Sequence, residues 1–175
     1  MIWLLAIFAV IVFIFGVVVF RGSPYVPSQK SYLSNAFQEL YPIRKKDVLV
    51  DIGSGDGLVL REVAKFGAHA VGYEINPILV LISRIICYKN KNIKVVFADF
   101  WLVGLPDNTT VLYVFSVSRD INKLIILIQK QTNKLNRPLY VISYGSKFNG
   151  MKFTNKVGPH YLYKFYPLQP NQAQV

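Results

Sequence analysis

Four acidic side chains stand where this chain can use them for chemistry: Asp51, Asp56, Glu74 and Asp99. Asp51 lies in the apolar run Val48-Leu-Val-Asp-Ile52. Glycines follow at alternate positions, Gly53, Gly55 and Gly57, with Ser54 and Asp56 between them. Glycines just past a strand let the backbone turn sharply and approach a ligand closely. A dinucleotide loop needs Gly-x-Gly-x-x-Gly, yet position 58 is Leu, and the Gly-Lys-Ser/Thr of a phosphate-cradling P-loop is absent here. Carboxylates at such a loop repel pyrophosphate. They suit a ligand with an ammonium, a sulfonium and hydroxyls, a description that fits S-adenosylmethionine.

Glu74 closes a second short apolar segment, Ala70-Val-Gly-Tyr-Glu74. It falls about 20 residues past the loop, where an acid accepts from ribose hydroxyls in this class of sheet. Ile75 can pack on a flat adenine face, with Asn76 in the same turn. Asp99 ends a third segment, Val95-Val-Phe-Ala-Asp-Phe-Trp101. There it can accept from the adenine amino group while Phe100 or Trp101 lines the slot. Taken singly, Glu74 and Asp99 read equally well as helix caps or solvated strand ends. Three acids at three successive strand ends favour the cofactor reading.

The elements that must hold these acids alternate along the chain. Hydrophobic periodicity predicts strands over 48–52, 69–74, 94–98, 111–117 and 138–144, and helices over 57–66, 77–88 and 120–134. Such alternation implies a parallel sheet with helices on both faces. An earlier helix is expected over about 29–40, with Leu33, Ala36, Phe37 and Leu40 on one face, Ser28 as its cap and Pro42 as its stop. Period-two alternation in 151–156 and 161–166 around Gly158-Pro159 reads as a terminal hairpin.

These motifs resemble a known family. Asp51-Ile-Gly-Ser-Gly-Asp-Gly57, Gly72-Tyr-Glu-Ile-Asn-Pro77 and Ala98-Asp-Phe-Trp101 look like those of the seven-strand (class I) methyltransferases. More narrowly, the chain resembles the small membrane-anchored protein-lysine methyltransferases that modify the c-ring protein of mitochondrial ATP synthase and the adenine nucleotide translocase, with their prokaryotic relatives. That family also carries a Val-Pro element upstream, matched here by Pro24-Tyr-Val-Pro27. The resemblance spans about 24–166. It implies an α/β, Rossmann-like seven-strand sheet with a C-terminal antiparallel hairpin, S-adenosylmethionine as cofactor, and methyl transfer to a lysine amine of a membrane protein. One departure concerns the fourth-strand exit, Ser116-Val-Ser-Arg-Asp120, which replaces an expected Gly-Val-Pro.

Ile2 to Phe20 is an almost unbroken apolar run without charge. As a helix it measures about 28 Å at 1.5 Å per residue, enough to cross a bilayer core. A cleaved signal peptide would want a basic start and a small-x-small cleavage site, and neither is present. The expectation is therefore one N-terminal transmembrane helix ahead of the fold. Residues 1–21 form the anchor, 22–46 a juxtamembrane linker and helix, 47–167 the methyltransferase domain and 168–175 a polar tail. Arg21, Lys30, Arg44, Lys45 and Lys46 follow the run, placing the domain on the cytoplasmic or matrix side by the positive-inside rule.

The formal charge is +11, and its basic residues are dispersed. Attraction to anionic lipid headgroups is expected of a tethered domain rather than nucleic-acid binding. A single cysteine, Cys87, excludes an intrachain disulfide framework, and no metal-ligand spacing is visible. A monomer is expected. Candidates to line the acceptor channel are Tyr25, Asp120 and Tyr144, with the 24–27 element as a lid. Two other readings stay open: a methyltransferase acting on a lipid or quinone, and a membrane-tethered scaffold that has lost turnover.

Overall fold

Strand β1 (Val48–Ile52) is buried on both faces, and it is the third strand of a seven-stranded sheet. In this computed structural model, which describes residues 2–5, 30–115 and 121–168, it is preceded by α1 (Lys30–Asn35) and a π-helical turn (Ala36–Leu40). It is followed by α2 (Leu58–Ala64), β2 (His69–Glu74), α3 (Pro77–Cys87), β3 (Ile93–Phe97) and α4 (Phe100–Val103). Then come β4 (Val111–Phe115), α5 (Ile121–Leu135), β5 (Leu139–Tyr144), β6 (Asn155–Val157) and β7 (His160–Phe165). The sheet order is β3-β2-β1-β4-β5-β7-β6. The first five strands are parallel, while β7 runs antiparallel to β5 and to β6.

Alternation along the strands divides the core. Leu49 and Tyr113 face one layer with Leu33, Phe37, Leu60 and Val63, whereas Val50, Leu112 and Val114 face the other with Phe100, Ile121, Ile128 and Tyr163. The inner strands are buried on both faces, the burial expected when helices cover a parallel sheet on both sides. Chain order reverses between β1 and β4. A crevice opens at such a switch point, beyond the carboxyl ends of the strands.

The expected helix over 29–40 is α-helical only to Asn35, and it widens into the π turn, where Tyr41 N–H donates to Ala36 O at 2.9 Å. Leu33, Ala36, Phe37 and Leu40 are nevertheless all buried. Pro42 brings no N–H to continue the ladder. The hairpin turns at Gly158-Pro159 as expected, but β6 keeps only three residues, and 151–153 are irregular. Those residues carry an alternating pattern without a pairing partner along the edge. At the opposite edge, Arg84 reaches from α3 to the carbonyl of Val95 with Nε at 3.2 Å and Nη2 at 3.1 Å.

Among the described residues no helix is long and apolar enough to cross a membrane. Most of the expected anchor, Ser28, the 24–27 element and the exit over 116–120 lie outside the described residues.

Candidate functional site

The loop after β1 is built on β2. The carbonyl of Tyr73 accepts from both Gly53 N–H at 2.9 Å and Ser54 N–H at 3.0 Å. Gly55 N–H donates to Glu74 Oε2 at 2.8 Å, and Gly57 N–H donates to Ser54 O at 2.8 Å. Asp56 Oδ1 accepts from Leu58 N–H at 3.1 Å, while its Oδ2 pairs with Arg61 at 3.1 Å. The N–H groups of Gly53, Ser54, Gly55, Gly57 and Leu58 are thus satisfied within the protein, beside the carboxylates of Asp56 and Glu74. Gly53 and Gly57 adopt φ of +76° and +78°, values that favour glycine. A Cβ at Gly53 would meet nothing within 4 Å, which leaves open space for a ligand along the backbone.

Asp51 is buried at the end of β1. Burial pushes its carboxyl well above the ordinary carboxylate range, and the neighbouring Glu74 and Asp56 push it further. A positively charged ligand at this point favours the ionised form. The residues therefore fit an ammonium and sulfonium ligand and do not fit an anion.

Glu74 does more than the sequence suggests. Its second oxygen, Oε1, accepts from Asn76 N–H at 2.8 Å, so one buried carboxylate joins the glycine loop to the start of α3. Each oxygen keeps a further lone pair for a hydroxyl. Asn76 caps α3 by accepting from Ile78 N–H at 3.0 Å, and Pro77 occupies the first turn, where its missing N–H costs nothing. Ile75, half-buried, sits between them.

Asp99 caps α4, its Oδ1 accepting from Trp101 N–H at 3.0 Å. It makes no other side-chain hydrogen bond among the described residues. Phe100 turns into the core, its ring 6.1 Å from that of Tyr73, and of the two aromatics expected at the slot Trp101 is the half-exposed one. Ser54 is buried and turns its hydroxyl under the loop toward Gly72. The missing side chain at Gly72 opens that space: a Cβ there would stand 2.5 Å from Ser54 Oγ and 2.7 Å from Leu60 Cδ1. Glycine inside a strand marks such a close approach.

Of the acceptor-channel candidates, Tyr25 and Asp120 lie outside the described residues. Tyr144 ends β5 at the same carboxyl end of the parallel strands as the loop. Its ring packs against His160 at 5.0 Å and Phe115 at 5.6 Å. His160, fully buried, shares a 3.0 Å hydrogen bond through Nε2 with the Tyr113 hydroxyl, and burial lowers it to about 4, so the ring is neutral near pH 7. Sequence reasoning missed His160 because its partners are 16 and 47 positions away. It also missed Lys123, whose ammonium lies 4.3 Å from the Trp101 ring centre. Among the described residues no group of three His, Cys, Asp or Glu could hold a metal ion.

The sheet order and the acidic crevice together define the fold of the class I methyltransferases. An RNA methyltransferase from Salinibacter ruber in complex with S-adenosyl-L-homocysteine superposes with a TM-score of 0.73 over 82% of this chain and 95% of its own, at 23% identity. A methyltransferase from Geobacter sulfurreducens, also bound to S-adenosyl-L-homocysteine, gives 0.57 over 74% of this chain and 53% of its own, at 13% identity. No family model matches the sequence. Among curated proteins, the chain is 36% identical over 97 residues to the ATP synthase c-subunit lysine N-methyltransferase of Rattus norvegicus, covering 54% of this chain and 44% of that protein. The match to ribosomal RNA small subunit methyltransferase A of Thermotoga maritima is 40% over 55 residues, 31% of this chain and 20% of that one. The chain spans less than half the length of the curated relatives it matches.

Proposed function

We propose that this protein is an S-adenosylmethionine-dependent methyltransferase whose acceptor is a lysine amine of an integral membrane protein. One observation carries the cofactor assignment. The Gly-rich loop closes its own donors on Tyr73 O, Glu74 and Ser54 O, and it leaves Asp51, Glu74 and Asp99 as acceptors around the crevice. Such a site favours cations and hydroxyls over phosphates. Bound S-adenosylmethionine would supply a methyl group already activated on a sulfonium. The chain's part is then orientation, with Asp51 balancing positive charge, Glu74 accepting from ribose hydroxyls and Asp99 with Trp101 receiving the adenine.

The lysine assignment is supported by the similarity to lysine N-methyltransferases and by the apolar run over 2–20, read as a retained anchor. A lysine amine attacks only as the neutral base, so the acceptor channel must strip water from the ammonium and lower its pKa. Tyr25, Asp120 and Tyr144 are proposed to line that channel. Residues 2–20 would hold the domain on the cytoplasmic or matrix face as a monomer.

A second reading, an RNA acceptor, is favoured by the similarity to a ribosomal RNA methyltransferase and by the charge of +11. One experiment separates the readings. The full chain in mild detergent is incubated with labelled S-adenosylmethionine and a membrane extract, and label is followed into protein, lipid and RNA fractions. Label on a lysine of a membrane protein is expected. Label confined to lipid or RNA overturns the acceptor, and calorimetry showing NAD binding without S-adenosylmethionine binding overturns the cofactor.

A further inference from the structure

Helix α3 is amphipathic in the wrong sense for a covering helix. Its inward face is small, with Val80, Ser83 and Cys87 buried. Its outward face is large and apolar. Ile78, Leu81, Ile82, Ile85 and Ile86 recur at helical spacing, and their exposures run from 39% to 61%. The inward face is small for a steric reason. The glycine loop passes so close that a Cβ at Gly57 would overlap Ser83 Oγ and stand 3.2 Å from Cys87 Sγ. No comparable constraint explains five bulky apolar residues on the outside. At the adjoining sheet edge Phe97 is 57% exposed, extending the apolar surface.

Charge along this stretch of the chain has one sign. Between Asn76 and Ala98 there are four basic residues, Arg84, Lys89, Lys91 and Lys94, and no acidic one. Lys89 and Lys91, with Arg61, also line a cleft of about 540 Å³ beyond the end of α3. Apolar side chains flanked by lysines are the pattern of a helix that lies in a membrane interface, with its apolar face in the acyl boundary and its cations among anionic headgroups.

We infer that the outward face of α3, with the lysines of the following turn, docks flat on an anionic bilayer. The helix is about 16 Å long at 1.5 Å per residue. One end is Asn76, beside Glu74 at the crevice, so flat docking brings the mouth of the site to the headgroup level. This deepens the membrane reading above and rests on it, but it is independent of which methyl acceptor is used.

The test uses the full chain in phosphatidylcholine vesicles with or without phosphatidylglycerol. An environment-sensitive fluorophore is placed on Ile85→Cys, with Leu81→Cys as a second site and Ile126→Cys on α5, across the sheet, as reference. Lipids with a spin-label quencher near the headgroup report contact. Flotation with vesicles reads the membrane association itself. Quenching is expected at 85 and 81, only with phosphatidylglycerol, and not at 126. In a K89E/K91E/K94E chain that floats and melts normally, the docked population should fall about tenfold or more. Flotation without quenching at 85 and 81 overturns the docking face while the membrane reading stands. A chain that does not float overturns both. Energy transfer between labelled chains at 85 in lipid-free detergent, replacing quenching, assigns the face to a second copy and equally overturns the proposal.

Discussion

Glu74 is the residue on which most of the site converges, because a single carboxylate holds Gly55 N–H and Asn76 N–H together. Glu74→Gln replaces one acceptor oxygen with an amide that confronts a backbone donor. S-adenosylmethionine binding should weaken by about 1.5–3 kcal/mol, the usual worth of a charged hydrogen bond. Calorimetry giving wild-type affinity would remove Glu74 from the site. Asp51 presents the opposite case, a buried acid beside two others that weighs against folding. Above the ordinary carboxylate pKa and below its raised folded value, the folded chain keeps a proton that the unfolded chain has lost. Its contribution to stability therefore declines as pH rises through that window. Asp51→Asn should flatten this dependence and raise stability at neutral pH by about 0.5–2 kcal/mol, while binding of the cationic cofactor weakens. Cofactor binding to the native chain should release a proton, read from calorimetry in two buffers of different ionisation heat. Identical heats in both buffers would show that Asp51 does not ionise on binding. The acids are legible in the sequence because type and spacing alone place them at strand ends. Their backbone partners are not, since Gly55 and Asn76 N–H groups carry no side-chain signature.

At the scale of elements, the contact between the glycine loop and β2 decides what the surrounding residues can be. Gly72→Ala would put a methyl group against Ser54 and Leu60. Overpacking of this kind costs about 1–3 kcal/mol, and the loop should shift with it. Urea denaturation is expected to show the loss, and cofactor affinity should fall in parallel; an unchanged midpoint would mean that the loop has slack. Strand positions are readable from apolar runs, and the observed ends of the parallel strands match those expected to within one residue, the exit past Phe115 lying outside the described residues. The inner turn at Ala36–Leu40 is not readable, because α and π helices present nearly the same apolar stripe over five residues. Phe100 and Trp101 cannot be told apart in the sequence for a related reason. They carry the same chemistry, and only the direction of α4 decides which ring faces inward. His160 escapes a sequence reading because its significance lies in being opposite Tyr113 and Tyr144, a fact of register rather than of pattern.

For the whole molecule, the sequence announces an alternating α/β sheet with a terminal hairpin, and the strand order agrees with it. The helices' orientation around that sheet cannot be read in advance. Periodicity marks an apolar stripe on α3 without saying that the stripe points outward. The proposed anchor gives a prediction at this scale. Removing residues 1–20 should leave S-adenosylmethionine affinity within about twofold in solution while reducing methylation of the cellular target far more, since tethering raises local concentration without new contacts. Equal methylation by the shortened chain, followed by mass spectrometry of the target, would dissociate substrate choice from the membrane.

The guanidinium of Arg84 across the Val95 carbonyl has a consequence for crowding. Unpaired strands at a sheet border are templates on which a neighbouring chain can add its own strand. Here one border is blocked by a cation from α3, and the other ends in the three residues of β6. Copies packed side by side thus meet poor templates for strand-by-strand polymerisation, and each can remain a separate molecule at high local density.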